Sequence, residues 1–272
     1  MLGRDVAAAA ARSGHEVVAL ARRQLDVTDP AAVEQAVAEA RPDAIVNCAA
    51  WTDVDGAETD EAAATRVNGD AAGHLAQAGP FLVHVSSDYV FDGRGTEPYE
   101  EDDPVGPLSA YGRSKLAGER AVQAAGPAHA IVRSSWLFGT GGRNFVDTML
   151  RLGAERDELR VVSDQIGCPT FTGHLATALV TIAEQRTGGI LHVAGGGACS
   201  WFDLARATFE ESGAGPHVEP CTTEEFPRPA PRPAYSVLGS TRADAPVLPP
   251  WRDGLRAYLR ERATAAITEV VS

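Results

Sequence analysis

The sequence predicts an α/β fold whose core is a doubly wound parallel sheet, and two observations support this prediction. Short apolar runs typical of buried strands alternate with longer helical patterns along the first half of the chain. Small or polar residues follow three of these runs, as expected where parallel strands end beside a ligand. Beyond about residue 140 glycine and proline become more frequent, which predicts a smaller C-terminal lobe.

The predicted strands are short apolar runs, most of them apolar on both faces, as strands covered by helices on both sides of a sheet must be. They cover residues 15–20, 44–46, 81–85, 130–132 and 190–193. The last run lies in the second half of the chain. We therefore expect some C-terminal segments to return to the first domain.

The helices are predicted from their start signals and apolar spacing. Asp29 is expected to cap a helix that begins at Pro30, because a short acidic side chain followed by proline favours a helix start. The other predicted helices cover residues 58–78, 109–124, 144–153, 174–185 and 251–262. The proline-rich residues 227–233 predict an extended connector.

The composition is that of a soluble globular protein, with 44% hydrophobic and 22% charged residues. A net charge of −13, with no basic stripe to offset it, argues against a nucleic acid or an anionic membrane as partner. No apolar stretch approaches membrane-spanning length, and the alanine run at residues 7–11 is too short for a signal-peptide core. We therefore expect a cytoplasmic protein.

The cysteines of the chain are scattered along it. They are Cys48, Cys168, Cys199 and Cys221. None has the Cys-x-x-Cys spacing of a zinc or redox site, so the sequence predicts free thiols and no metal site.

Lys115 is the single lysine of the chain, and it follows Tyr111 by four residues. Arginine serves every other basic position, so a retained lysine suggests a need for a compact ammonium with a tunable pKa. The spacing places both side chains on one face of a helix. An ammonium beside a phenol is expected to lower the pKa of the phenol, which suits a proton donor to a carbonyl. An ordinary surface pair is the alternative interpretation.

Three predicted strands end in polar or small residues, which we expect to meet at one edge of the sheet. These ends are residues 47–50, 86–88 and 134–136. Ala49 and Ala50 would let a flat ring or a ribose approach the backbone. Ser87 would hydrogen-bond the same substrate oxygen that Tyr111 protonates. Turn and cap chemistry is the alternative, since it is the usual use of serine and aspartate.

Motifs spread over nearly the whole chain resemble one family. They are Asn47-Cys48-Ala49-Ala50-Trp51-Thr52, Ser86-Ser87-Asp88-Tyr89-Val90-Phe91-Asp92-Gly93, Tyr111-Gly112-x-Ser114-Lys115, Arg133-Ser134-Ser135-Trp136, Asn144-Phe145, Asp164-Gln165-x-Gly167-x-Pro169-Thr170 and Arg232-Pro233-Ala234-x-Ser236. In this order they resemble the dTDP-4-dehydrorhamnose reductases, which are extended short-chain dehydrogenase/reductases with a Rossmann-like fold. The resemblance is far more specific than the Tyr-x-x-x-Lys pair alone.

The resemblance implies that hydride from a nicotinamide reduces the 4-keto group of a nucleotide-linked 4-keto-6-deoxy sugar. Tyr111 would be the general acid. Lys115 would hold the nicotinamide ribose and lower the pKa of the tyrosine, and Ser87 would orient the keto oxygen. The family more often has threonine at the position of Ser87, and serine keeps the hydroxyl.

The resemblance also implies a substrate site and a division of the chain. Asp88, Trp136 and Asn144 would contact the substrate, although Trp136 would equally suit a core aromatic. Residues 1–142 would form the dinucleotide-binding domain, and residues 143–272 mainly the substrate-binding lobe. The partner is expected to be a dTDP-linked keto sugar, and the protein a monomer or a homodimer.

The cofactor side departs from the family pattern at the N-terminus. A dinucleotide fold opens with a strand and a glycine-rich turn at a helix N-terminus. This chain begins directly with helix-like sequence, in which Gly3 matches the last glycine of that turn. The family's first strand is absent from the sequence, and we expect that translation was assigned to start at an internal methionine.

The remaining cofactor contacts are expected near the end of the first predicted strand. NAD-preferring folds place an acidic residue there, whereas this chain has Arg22 and Arg23, which suit a 2′-phosphate. We therefore predict NADPH, with NADH as the alternative cofactor and two solvated arginines as the alternative interpretation. Asp26 and Val27 match the adenine side. The full set of predicted cofactor contacts is Gly3, Arg22, Arg23, Asp26, Val27, Ala49, Ala50, Trp51, Tyr111 and Lys115.

Other functions of similar folds are separated by particular residues. Sugar-nucleotide dehydratases carry a second acidic residue where this chain has Tyr89 after Asp88, so elimination is disfavoured. A 4-epimerase stays open as an alternative. So does a non-catalytic cofactor-binding regulatory subunit, which the incomplete glycine-rich turn favours and the complete Tyr111, Lys115 and Ser87 set disfavours.

Overall fold

The computed structural model describes residues 1–126, 128–213 and 215–271, with side chains up to residue 264. Its strands are β1 (Ala44–Asn47), β2 (Phe81–Ser87), β3 (Ala130–Ser134), β4 (Leu137–Phe138), β5 (Glu158–Val162), β6 (Ile166–Gly167), β7 (Thr170–Phe171), β8 (Gly189–His192), β9 (Cys199–Ser200) and β10 (His217–Cys221). Its helices are α1 (Leu2–Arg12), α2 (Pro30–Ala40), α3 (Val54–Ala57), α4 (Glu61–Thr65), α5 (Ala71–Gln77), α6 (Ala110–Ala125), α7 (Phe145–Glu155), α8 (Thr172–Gln185), α9 (Trp201–Ser212) and α10 (Trp251–Val271).

The main sheet has the strand order β1-β2-β3-β8, and every neighbouring pair is parallel. The register aligns the strand ends, because Ser87 at the end of β2 lies opposite Ser134 at the end of β3. The carboxyl ends of the strands therefore present their polar residues at one edge, as the sequence predicts.

Helices cover both faces of this sheet. Successive residues of β2 alternate between the two faces, so that Val83 packs with α1 and α8 on one side. Leu82 packs on the other side with Leu75 of α5 and Val122 of α6. The α/β class and the doubly wound arrangement are thereby confirmed. Asp29 caps α2 as predicted, since its side chain accepts the backbone N–H groups of Ala31 and Ala32.

The C-terminal half builds a second core beside the strand ends. α7, α9 and α10 contribute Val146, Leu204 and Leu255 to an apolar cluster, and the parallel pair β5 and β10 lies next to α9. β8 returns to the main sheet from this half of the chain.

The strand predicted at residues 15–20 is wrong. These residues form no strand in the structure, and Val17, Val18 and Leu20 are exposed. A strand is stable only where a neighbour satisfies its backbone hydrogen bonds. Among the described residues β1 is the edge of the main sheet, with three of its four residues only partly buried. Apolar residues alone therefore do not make this segment a strand.

The long helix predicted at residues 58–78 is interrupted. α3 ends at Ala57 and α4 begins at Glu61, with Asp60 as its N-cap. A π-helical turn at Arg66–Asp70 then joins α4 to α5. Such turns widen a helix locally and are frequent at functional sites. This one brings Asn68 into the interior of the protein.

Candidate active site

The candidate site lies where β2 and β3 end and α6 begins. Ser87 is the last residue of β2, and its hydroxyl lies 2.9 Å from Asp88 Oδ1, to which it donates. The Ser87 hydroxyl oxygen also accepts the backbone N–H of Tyr89, at 3.2 Å. Both Ser87 and Asp88 are buried, so these contacts are well protected from bulk water.

Tyr111 stands in the first turn of α6, above the end of β2. Ser109 caps this helix, because its hydroxyl accepts the Gly112 N–H at 3.1 Å. The Ser87 hydroxyl lies close enough to the Tyr111 phenol to lower the pKa of the phenol. The structure therefore brings Ser87 and Tyr111 together, as the sequence predicts.

The expected effect of Lys115 on Tyr111 is not found in this structure. Burial raises the pKa of Tyr111 to about 12, and the nearby Asp88 acts in the same direction, whereas Lys115 is not among the groups that shift it. The Lys115 ammonium donates instead to the backbone carbonyl of Val85, at 2.7 Å. The helical spacing of four residues is correct, but the lysine points into the sheet rather than at the phenol.

Lys115 is 2% exposed and is unusual for a lysine in its electrostatics. Burial lowers the pKa of its ammonium to about 8, and the neighbouring Glu119 partly opposes this shift. An ammonium with such a pKa exchanges its proton near neutral pH, which arginine cannot do. This environment is consistent with the need for an ammonium of tunable pKa that the single lysine suggests.

The buried side-chain amide of Asn47 fixes the turn after β1. Asn47 accepts the Ala49 N–H at 3.0 Å and lies 3.0 Å from Nδ1 of His84. Ala49 is exposed and Ala50 is half-buried, so small side chains line the turn. Burial holds the pKa of His84 well below its ordinary value, which leaves a neutral imidazole beside Asn47.

Asn68 is a site residue that sequence reasoning missed. Its carbonyl oxygen accepts the Trp51 N–H at 2.8 Å, and its amide donates to the Trp51 carbonyl at 3.1 Å. The amide also donates to Ser114 Oγ at 2.9 Å, and this hydroxyl donates to the Tyr111 carbonyl. Asn68 thus ties the predicted cofactor turn to the helix of Tyr111. A lone asparagine in an alanine-rich helix was the available signal.

The N-terminal helix points its first residues at the same strand edge. Gly3 packs against Cys48, and a Cβ added at Gly3 would lie 3.6 Å from the Cys48 Cβ, an ordinary contact. The first turn of α1 therefore stands next to the turn of Ala49 and Ala50. A helix N-terminus in that place suits an anionic group.

Arg22 and Arg23 are exposed in a turn between α1 and α2. Asp26 follows in the same connection and accepts the N–H and the hydroxyl of Thr28, which lowers the pKa of its carboxyl. Val27 packs against the apolar cluster under α2 and α5. These residues are placed on the side of the sheet that carries β1.

Trp136 follows β3 in a strained conformation. Its φ of 48° lies in the left-handed region, where a bulky side chain is a genuine outlier. The indole stacks on Trp201, with ring centroids 3.5 Å apart and planes 4° apart. Gly167 also packs against the Trp136 indole, and a Cβ added at Gly167 would lie 2.5 Å from it. Strain of this kind is typical of functional sites.

Asn144 is the N-cap residue of α7. Its side-chain oxygen accepts the Asp147 N–H at 2.9 Å, and its amide donates to the Gly139 carbonyl at 3.0 Å. The amide also lies 3.2 Å from the Tyr258 hydroxyl of α10. These contacts give Asn144 a capping role. Its contact with a substrate stays a prediction.

A buried ion pair lies directly behind the site. Arg133 of β3 makes a two-bond contact with Glu119 of α6, at 2.9 Å through Nε and 2.7 Å through Nη2. Ser86 donates to the same carboxylate at 2.6 Å. A second ion pair joins distant parts of the chain, because Arg232 lies 2.6 Å from Asp55 of α3 and lowers the pKa of that carboxyl.

Two other features, a cluster of metal ligands and a membrane-spanning helix, are not found in the described part of the chain. No group of three or more His, Cys, Asp or Glu side chains is arranged to hold a metal ion there. None of its helices combines the length and the apolar character that a membrane crossing requires.

Comparison with known proteins places this geometry in a family. A family model described as the RmlD substrate binding domain matches residues 1–264. The dTDP-4-dehydrorhamnose reductase of Mycobacterium tuberculosis (strain H37Rv) is 46% identical, over 97% of this chain and 91% of that protein. A probable dTDP-4,6-dihydroxy-2-methyloxan-3-one 4-ketoreductase of Streptomyces antibioticus is 47% identical, over 96% and 90%.

A solved structure agrees over the same extent. The dTDP-4-dehydrorhamnose reductase of Bacillus anthracis, in complex with NADP, superposes with a TM-score of 0.92 at 37% identity. The match covers 96% of this chain and 95% of that one. The site motifs, the fold and the matched length agree, and the chain belongs to the RmlD substrate binding domain family.

Proposed function

We propose that this protein reduces the 4-keto group of a dTDP-linked 4-keto-6-deoxy sugar with hydride from NADPH. The observation that carries the proposal is the meeting of Ser87 and Tyr111 at the carboxyl ends of β2 and β3. A hydroxyl pair at this edge of a doubly wound sheet suits a carbonyl substrate. The reductase names of the relatives, at 46% and 47% identity, support the same reaction.

The chemistry requires a proton donor beside the keto oxygen. Tyr111 donates the phenolic proton to that oxygen as hydride reaches the carbon, and Ser87 fixes the oxygen by a hydrogen bond. Lys115, buried between α6 and the sheet, would hold the ribose of the dinucleotide next to the nicotinamide. The dinucleotide supplies only the hydride. The burial that raises the pKa of Tyr111 keeps the phenol protonated before the reaction.

The cofactor region fits a dinucleotide. Ala49 and Ala50 leave the backbone of the turn accessible, and the first turn of α1 stands beside it for the pyrophosphate. The exposed Arg22 and Arg23 favour a 2′-phosphate, so we propose NADPH over NADH. The NADP bound by the Bacillus anthracis relative supports this choice.

The sugar would lie between the strand ends and the C-terminal half. We propose that Asp88 and Trp136 contact it, and that residues 143–272 contribute most of the substrate lobe. The lone Asp88, followed by Tyr89, lacks the second carboxylate that elimination requires. Reduction is therefore favoured over dehydration at this site.

The test is an NADPH oxidation assay with two candidate substrates, dTDP-4-dehydrorhamnose and dTDP-4-keto-6-deoxyglucose. We expect one NADPH consumed per sugar reduced, with the configuration of the product read by NMR. The Tyr111→Phe variant serves as the matched control, since it lacks only the proton donor. A parallel assay with NADH measures the cofactor preference, and equal kcat/KM for the two cofactors would contradict the role given to the arginines.

Two other outcomes would replace the proposal. Tight NADPH binding without turnover of either sugar would identify a regulatory cofactor-binding subunit. Interconversion of sugars with no net consumption of NADPH would identify a 4-epimerase.

A further inference from the structure

The hydrogen bonds of Ser87 leave its hydroxyl with no proton to offer. A serine hydroxyl has one donor and two acceptor positions. The donor goes to Asp88 Oδ1 at 2.9 Å, and one acceptor position takes the Tyr89 N–H at 3.2 Å. The phenol of Tyr111 lies beside this hydroxyl, whose proximity lowers the pKa of the phenol. In this arrangement Ser87 cannot donate to a substrate oxygen.

Asp88 has the surroundings of a carboxyl that can change its protonation. It is 1% exposed, and its Oδ2 atom makes no hydrogen bond within the described residues. Burial raises the pKa of Asp88 to about 6, although the Ser87 and Ser236 hydroxyls oppose the shift. Ser236 is itself 1% exposed, and its hydroxyl makes no hydrogen bond of good geometry in the described chain. The carboxyl is therefore only partly stabilised as an anion.

We propose that Asp88 is a positioning residue that sets the direction of the Ser87 hydroxyl. The ionised carboxylate holds the Ser87 proton. When Asp88 takes up a proton on Oδ1 it becomes the donor to Ser87 Oγ, and the Ser87 proton is released towards the keto oxygen. No covalent bond forms or breaks in this step except the O–H bond of the carboxyl, whose proton comes from solvent. The inference rests on the proposed function, which supplies the keto oxygen.

The ionisable groups that face Asp88 come from three elements. Tyr111 of α6 and Tyr89 of the following turn both respond to its charge. Cys168, between β6 and β7, responds to it as well. These neighbours have raised pKa values, so they stay neutral while Asp88 titrates. Lys115 titrates at higher pH, near 8, and its effect is separable from that of Asp88.

The first experiment measures kcat/KM against pH in the wild type, Asp88→Asn and Ser87→Ala. The wild type is expected to gain about tenfold as pH falls from 8 to 5, the value of one recovered hydrogen bond. The Asp88→Asn amide is neutral and can donate to Ser87 at every pH, so the gain at acid pH should be absent from its profile. Ser87→Ala should be flat at the lower level. Exposed Asp102→Asn is the matched control and should keep the wild-type profile.

Enzyme-free blanks correct for the acid lability of NADPH. A flat wild-type profile, or the same acid-side gain in Asp88→Asn, would overturn the inference while leaving the reductase activity in place. Absence of turnover in the wild type would count against the proposed function instead.

The second experiment needs no substrate. The side-chain carboxyl carbon of Asp88 is followed by ¹³C NMR through a pH titration of the wild type and Ser87→Ala. Loss of the Ser87 donor should raise the pKa of Asp88 by about one unit, since the hydroxyl stabilises the anion. An unchanged pKa in Ser87→Ala would show that the two groups are not coupled and would overturn the proposal.

Discussion

Arg133 and Glu119 form a two-bond ion pair that is almost completely removed from solvent, with 2% and 1% of their side chains exposed. The pair joins the third strand of the sheet to the helix that carries Tyr111 and Lys115. A buried pair of this kind adds little net stability, but the loss of one partner leaves an uncompensated charge. Moving α6 away from β3 would separate the pair and leave a buried charge without a partner. The ion pair therefore holds α6 in place over the sheet.

Glu119→Ala is expected to lower the free energy of unfolding by about 3–5 kcal/mol, because it leaves the Arg133 guanidinium buried and unpaired. Chemical denaturation followed by circular dichroism measures this. Glu155→Ala is the matched control, since the Arg151–Glu155 pair is exposed and should be worth less than about 0.5 kcal/mol. Equal effects of the two substitutions would contradict the role of burial.

Lys115→Met is expected to be inactive and yet more stable than the wild type at pH 7. The pKa of Lys115 falls from the ordinary 10.5 to about 8 on folding, so the folded state binds fewer protons between these values. The wild type therefore gains stability as pH rises from 8 to 10.5, and below pH 8 it carries a penalty of about 3 kcal/mol. Denaturation midpoints of both proteins at pH 7 and pH 10 measure this difference, which should shrink at the higher pH.

Tyr111→Phe is expected to lower kcat by about 10²–10⁴-fold while NADPH binding is unchanged, because the proton donor is lost and the ring is kept. Tyr89→Phe is the matched control. Its ring meets that of Tyr111 edge to face at 5.5 Å, so the packing is similar but the proposed proton transfer is untouched. A comparable loss of kcat in Tyr89→Phe would remove the assignment of the acid to Tyr111.

Gly167→Ala is expected to displace the Trp136 indole, because the new Cβ would lie 2.5 Å from it. Overpacking of this size costs about 1–3 kcal/mol of stability. If Trp136 contacts the sugar, KM for the keto sugar should rise by a larger factor than kcat falls. Gly196→Ala is the control, with its nearest contacts at 3.4 Å. An unaltered KM in a folded Gly167→Ala protein would argue that Trp136 serves only the core.

The pair of Tyr111 and Lys115 shows how far local sequence reasoning reaches. A spacing of four residues correctly predicted that Tyr111 and Lys115 belong to one helix. It could not predict that Lys115 would bond the Val85 carbonyl, because that depends on which strand lies beneath the helix and how deeply the helix packs. The pKa of Tyr111 was misjudged for the same reason: burial, a tertiary property, raises it, and Lys115 is not among the groups that shift it.

The strand predicted at residues 15–20 illustrates a different limit. Its composition is suitable for a strand, but pairing decides whether a strand forms, and pairing is not encoded within six residues. Asn68 was missed because a π-helical turn, not a regular helix, turns it inward. By contrast, the motifs at the strand ends were recognisable, since the rule that places them at one edge follows from the parallel connection itself.

The hydrogen bonds of Asn68 have an implication for protein engineering. The Asn68 amide connects the loop at Trp51, which would bind the dinucleotide, to the helix that carries Tyr111. The loop and the helix therefore cannot be redesigned separately. A loop remodelled for another coenzyme would retain its rate only if the new backbone still met the same three partners. Libraries that vary residues 49–51 should therefore leave Asn68 and Ser114 fixed, or vary them jointly.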